Sequence, residues 1–298
     1  MSDLPELVAQ ETTSLRASFA KQSRMSDLQG LIAQETTSLR APLAKQSQMS
    51  DLQGLIAQET ARLTCDYALY FRRDGQEPIF RHTGDLFPSA SIIKIPILFA
   101  WAILERAGEV DRAEICDLDA EPPVQGAGLS WLLRARRLPF ADVLLLMIAL
   151  SDNLCTNLVI RRVGIARLNR VFREQLGLLN GTRLERKLMD YAARSRGLDN
   201  WVSARDAVQL FAARRSLTPA ERAWIDPLFA ACADGGLWLR NVPRDTVLLR
   251  HKTGSIEGVL HDWGYTEDAE LFILTRHVRD ESEVYRALDV LGPALLSA

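Results

Sequence analysis

The sequence predicts an α+β fold: one antiparallel sheet built from both chain ends and flanked by helices, plus an all-helical lobe. Three observations predict it. Strand-like runs cluster at residues 67–82 and return only after residue 246. Between them, apolar positions recur at helical spacing. Helix-start signatures punctuate that middle region, the clearest being Thr218-Pro219-Ala220-Glu221, with a capping hydroxyl, a first-turn proline and a glutamate that reaches back. At 298 residues, 47% hydrophobic and 25% charged, the chain can bury a sizeable core in one large or two medium domains.

The elements follow in order. Residues 1–24, 25–48 and 49–63 are near-copies that each open on Met-Ser-Asp-Leu. In the third copy Leu52, Leu55, Ile56 and Leu63 fall on one helical face, so it reads as an amphipathic helix running into the core. Residues 1–48 read as a repeat extension outside the core, from duplication or from sequence upstream of a start at Met25 or Met49. The core is then 49–298, with an α/β lobe of about 49–105 and 236–298 and a helical lobe of about 106–235. Tyr67–Arg72 and Pro78–His82 flank Asp74-Gly75 as a hairpin. Residues 91–108 form a strongly apolar helix that ends at Gly108. Ser203-x-x-Asp206 marks a further helix start. Strands are predicted at Thr246–Thr253, Val259–Tyr265 and Glu270–Thr275, and a closing helix at Glu281–Leu296.

Composition narrows the function. With 36 basic against 38 acidic residues the net charge is −2, which argues against a nucleic-acid partner. The longest apolar run, Val143–Leu150, is far short of the roughly 20 residues that span a bilayer. The start lacks the basic and apolar regions of a secretory signal, so the chain as written is expected in the cytoplasm, and in the periplasm or medium only if its true N-terminus differs. Cys65, Cys116, Cys155 and Cys232 lie far apart without zinc-type spacing and read as reduced thiols. No cofactor and no metal are expected, and the chain is expected to be a monomer.

Ser91-Ile92-Ile93-Lys94 opens the apolar helix and brings a hydroxyl and an amine onto one face. A serine is a poor nucleophile until a neighbour takes its proton, and a buried lysine can do so. The spacing alone decides nothing, since Ser18-Phe19-Ala20-Lys21 shares it. Two further motifs add weight: Ser151-Asp152-Asn153, where the helix Asp142–Leu150 breaks, and Lys252-Thr253-Gly254, at the end of a strand-like run. Taken singly, each is an ordinary turn or edge feature. In this order the three form the trio of class A β-lactamases and penicillin-binding proteins.

Residues 49–298 resemble the class A β-lactamase family. Phe87-Pro-Ser-Ala-Ser91-Ile-Ile-Lys94 is similar to F-x-x-A-S-x-x-K, Ser151 to Asn157 to S-D-N-x-x-x-N, and Arg183-Leu184-Glu185-Arg186-Lys187-Leu188 to the R-x-E-x-x-L stretch of the omega loop. Arg240-Asn-Val-Pro243 is similar to the stretch upstream of K-T-G. The resemblance implies the β-lactamase/transpeptidase-like fold and a small-molecule β-lactam substrate. It implies that Ser91 is acylated, Lys94 accepts its proton, Ser151 relays a proton to the leaving nitrogen, and Glu185 activates the deacylating water. Asn153 would orient the substrate amide. Lys252, Thr253, Gly254 and Ser255 would hold the substrate carboxylate and, with Ser91, supply oxyanion donors. Asp199 would pair with Arg183 to close the omega loop. Met189 stands where the family carries a water-holding Asn, and Arg186 and Lys187 are expected to crowd Glu185. The same nucleophile also suits an intracellular serine esterase or peptidase, or a slowly deacylating penicillin-binding protein.

Overall fold

A computed structural model describes residues 49–296. Its contacts divide the chain between Leu55 and Ile56. Of the first unit, residues 49–55 are described and are helical, and the repeat extension at 1–48 lies outside the described residues.

The second unit is built on one five-stranded antiparallel sheet. Its strands are β1 (Asp66–Arg73), β2 (Ile79–His82), β7 (Arg250–Ile256), β8 (Val259–Tyr265) and β9 (Ala269–Arg276), in the order β2-β1-β9-β8-β7. The N-terminal hairpin therefore joins the C-terminal meander through the β1–β9 pair, which runs from Asp66↔Arg276 to Arg73↔Ala269. The predicted sheet from both chain ends is present. Its third predicted strand begins later than expected, at Arg250 rather than Thr246. The reason is local: the Thr246 hydroxyl donates to the Pro243 carbonyl at 2.7 Å, and Asp245 sits at φ 61°, so this stretch closes a turn.

Four helices pack around the middle of the molecule: α1 (Lys94–Arg106), α2 (Phe140–Ala149), α3 (Asn153–Val163) and α4 (Ile165–Glu174). Every residue of α1 from Lys94 to Leu104 is buried. A helix apolar all round belongs at the centre of a core, and α1 touches α2, α3, α4 and the later helix at Ala204–Ser216. The predicted helix start at residue 91 is a 3₁₀ turn, Ala90–Ile93, before the α-helix proper begins at Lys94.

Short strands β3 (Leu86–Pro88) and β6 (Trp201–Ser203) pair with each other, as do β4 (Ile115–Asp117) and β5 (Arg137–Pro139). Between them α5 (Tyr191–Ser195) sits on a long loop. Ser203 caps α6 (Ala204–Ser216) through the Asp206 N–H, as predicted. Thr218 and Glu221 form the predicted reciprocal box at the start of α7 (Pro219–Ala230). The closing helix α8 spans Glu281–Leu296. All four cysteines are free thiols, three of them buried. No helix among the described residues is long and apolar enough to cross a membrane.

Candidate active site

The strand β3 and the 3₁₀ turn after it carry Ser91, and two anchors hold them against the sheet. His261 on β8 donates from Nε2 to the Pro88 carbonyl at 2.8 Å, while its Nδ1 accepts the Thr275 N–H at 3.0 Å. Burial pushes this imidazole down to about 4, so it stays neutral and keeps both bonds. Arg276 on β9 donates to the Leu86 carbonyl at 2.7 Å.

Lys94, the first residue of α1, is fully buried beneath Ser91. Its Nζ lies 2.6 Å from the Ser151 carbonyl, 3.0 Å from Asn153 Oδ1, 3.1 Å from Ser151 Oγ and 3.2 Å from Ser91 Oγ. Ser151 Oγ in turn lies 2.8 Å from Ser91 Oγ. Burial, then the charge of Lys252, drives the Lys94 amine well below the usual lysine value. A neutral amine has two hydrogens and one lone pair. With the hydrogens given to the Ser151 carbonyl and Asn153 Oδ1, the lone pair faces the two serine hydroxyls. The three atoms form a closed proton-transfer triangle.

Ser151 reaches this position because the chain breaks sharply between α2 and α3, with Ser151 at φ 53°. The buried Asp152 carboxylate holds the break. It accepts the N–H groups of Leu129, Ser130 and Cys155 and the Ser130 hydroxyl, at 2.7–2.9 Å. The loop presses so closely on Asp152 that a Cβ at Gly128, which sits at φ 82°, would lie 2.2 Å from its carboxylate. Only glycine fits there.

On the far wall, β7 runs against the nucleophile turn. A Cβ on Gly254 would come within 3.0 Å of the Ser91 backbone nitrogen. Lys252 is fully buried and donates to the Thr253 carbonyl at 2.8 Å, and burial lowers its pKa too. The Thr253 hydroxyl donates to Asp234 at 2.7 Å, while Ser255 lines the open cleft. That cleft has a volume of about 370 Å³, and its walls include Ser91, Asn153, Leu188, Met189, Asn200 and Ser255.

The omega-loop expectations need correction. Glu185 does not line the cleft: its carboxylate pairs with Arg183 at 3.1 Å and accepts the Asp199 N–H at 3.2 Å. Asp199 does not pair with Arg183. It holds Arg186 at 2.5 Å and Arg194 at 3.3 Å. Nor do Arg186 and Lys187 crowd Glu185, because Lys187 reaches the buried Glu121 at 2.5 Å. The cause is the way the loop is pinned. Arg183 bridges to Trp201, and Asn200 Oδ1 accepts the N–H groups of Glu185 and Arg186, which fixes the backbone of this segment. Asn157 on α3 then clasps Leu188, accepting its N–H at 2.7 Å and donating to its carbonyl at 3.1 Å. From this part of the loop Leu188 and Met189 line the cleft and Glu185 does not, while Asp199 and Glu257 are the carboxylates on its wall.

The structure thus brings together Ser91, Lys94, Ser151, Asn153 and the 252–255 strand, and leaves Glu185 aside. Sequence reasoning missed Asp234, Leu188 and His261. Asn157 was the available signal for Leu188, since its side chain selects which loop residue meets the cleft. Nothing in the local sequence marked the other two.

The profile of the β-lactamase enzyme family matches residues 48–293. Among solved structures, PBP-A superposes with a TM-score of 0.69 at 26% identity, over 82% of this chain and 95% of that one. A PBP-A variant with a leucine-to-glutamate substitution, captured as an acyl-enzyme with penicillin G, gives 0.69 at 25% identity over 82% and 96%. A β-lactamase from Sphaerobacter thermophilus DSM 20745 gives 0.69 at 23% identity over 82% and 95%. A search of curated proteins finds no match. The sheet from both chain ends, the helices around α1 and the matched residues agree: the fold is the β-lactamase/transpeptidase-like one, and the chain belongs to the β-lactamase enzyme family.

Proposed function

We propose that the protein is a serine hydrolase that opens β-lactams by acylation of Ser91 and releases the acyl group slowly. The observation that carries this reading is the triangle of Ser91 Oγ, Lys94 Nζ and Ser151 Oγ, with edges of 2.8–3.2 Å. Ser91 Oγ attacks the lactam carbonyl as its proton passes to the neutral Lys94 amine. Lys94 returns a proton through Ser151 to the lactam nitrogen, the C–N bond breaks, and an ester remains on Ser91. Backbone N–H groups of Ser91 and Ser255 stabilise the tetrahedral oxyanion, and each such donor contributes about 2.7–4 kcal/mol. Asn153 orients the substrate side-chain amide.

Deacylation needs a water activated by a base. The apolar Leu188 and Met189 at the cleft wall, the pairing of Glu185 with Arg183, and the pairing of the wall carboxylate Asp199 with Arg186 and Arg194 favour a persistent acyl-enzyme over rapid turnover. The acyl-enzyme that a PBP-A variant forms with penicillin G supports acylation as the first step. The test is time-resolved mass spectrometry after mixing with benzylpenicillin. The wild type is expected to gain the mass of intact penicillin on Ser91 and keep it for minutes or longer. Ser91→Ala, with an unchanged circular-dichroism spectrum, is expected to gain nothing. An adduct on that variant, or no adduct on the wild type, overturns the assignment.

A further inference from the structure

The sequence repeat meets the fold at its third copy. There Ile56, Glu59 and Thr60 are buried, whereas Ala61 and Arg62 are exposed. Arg62 Nη1 holds both oxygens of the Glu59 carboxylate at 2.9 Å, and the Thr60 hydroxyl donates to the Ile56 carbonyl at 2.7 Å. Just beyond, the N–H and hydroxyl of Thr64 donate to Glu283 on α8 at 3.2 and 2.8 Å. Glu59 and Arg62 share a groove of about 470 Å³ with Glu283, Arg286, Ala287 and Val290 of α8. Residues 56–63 thus occupy a defined seat beside α8. The second copy carries the same fitting. Residues 25–36 match residues 49–60 at every position, so Ile32, Glu35 and Thr36 repeat the three buried side chains, and Leu39 repeats Leu63. The two copies part at Thr37 and Ser38, which replace the exposed Ala61 and Arg62. Ser38 cannot neutralise a buried glutamate as Arg62 does. Arg286, loosely paired with Asp280 at 3.8 Å, lines the same groove and can.

We propose that this seat is exchangeable: residues 32–39 of the same chain occupy it when residues 56–63 do not. Seating the second copy closes residues 40–63 into a loop, and the closure entropy of such a loop favours the third copy by about a hundredfold. The third copy therefore holds the seat in the wild type, and the second takes over once the third is weakened by more than that factor. The repeat of another molecule is a poorer rival, because a segment tethered to its own chain acts at an effective concentration of order millimolar.

The test uses the full chain. Ile56→Asp puts an unpaired charge at a buried position, which weakens the third copy by more than about a hundredfold. Its thermal midpoint is expected to fall by less than about half as much as that of the triple variant Val8→Asp, Ile32→Asp, Ile56→Asp, in which no copy fits. Ile32→Asp alone is expected to leave the midpoint unchanged. Occupancy is read by combining Ser38→Cys with Val290→Cys, since Ser38 stands in the repeat where Arg62 stands and Arg62 and Val290 line one groove. Under mild oxidation a disulfide between positions 38 and 290 is expected within one chain in the Ile56→Asp background, and about tenfold less of it with Ile56 intact. Equal midpoints for the single and triple variants, no such disulfide in the Ile56→Asp background, or a disulfide that joins two chains overturns the inference. Neither readout depends on the chemistry of Ser91.

Discussion

Leu188 shows how much one residue decides. Its backbone is clasped on both sides by the Asn157 amide, and the residue sits on the cleft wall, partly packed on the core. A leucine cannot take a proton. Leu188→Glu is therefore expected to shorten the lifetime of the penicillin acyl-enzyme by at least about tenfold, at the low end of what a general base supplies. The measurement is the decay of the Ser91 adduct after excess drug is removed, and a lifetime equal to the wild type's would contradict the argument. The same stretch marks the limit of reading by motif. Arg183-x-Glu185 has the right residues at the right spacing, yet Asn200 and Trp201 bind that segment and its carboxylate pairs with Arg183 and the Asp199 N–H. Ser91, Lys94 and Ser151 were legible because a short helical spacing and a helix break fix their positions locally. Glu185 was not, because distant partners fix it.

At the scale of elements, the legible features were those whose signal lies within a few residues. The box at Thr218 is an instance: the hydroxyl accepts the Glu221 N–H at 3.2 Å, and the Glu221 carboxylate accepts the Thr218 N–H at 2.7 Å. Glu221 also pairs with Arg106 at the end of α1, so the cap ties α7 to the central helix. Thr218→Ala is expected to cost about 1 kcal/mol in urea unfolding, with the slope of the transition unchanged. A loss below about 0.3 kcal/mol would show that the box contributes little here. The closing helix and the β8 and β9 strands also lay close to their predicted bounds, because alternation and apolar spacing are local properties. The start of β7 was not legible, since turn bonds to Pro243 outweigh the strand preference of Thr246 and Val247. The 3₁₀ turn before α1 was hidden for a similar reason: β3 pairs with β6 and constrains the entry angle, and that partner lies more than a hundred residues away.

For the molecule as a whole, the central quantity is the state of Lys94. The Ser-x-x-Lys spacing alone does not make a reactive pair, since Ser18 and Lys21 share it. At Ser91 and Lys94 the spacing is joined by the burial of α1, with α2 and α3 meeting at Ser151 beside the amine and Lys252 on β7 placing a second charge near it. That burial removes water from the amine and adds a like charge, and both favour the neutral, proton-accepting form. The pH dependence of Ser91 acylation, followed by mass with a single uncharged ester, tests this most directly. The rate is predicted to rise with pH to a plateau whose midpoint lies well below the ordinary lysine value. A midpoint at or above that value, in a protein that still forms the Ser91 adduct, would contradict the account.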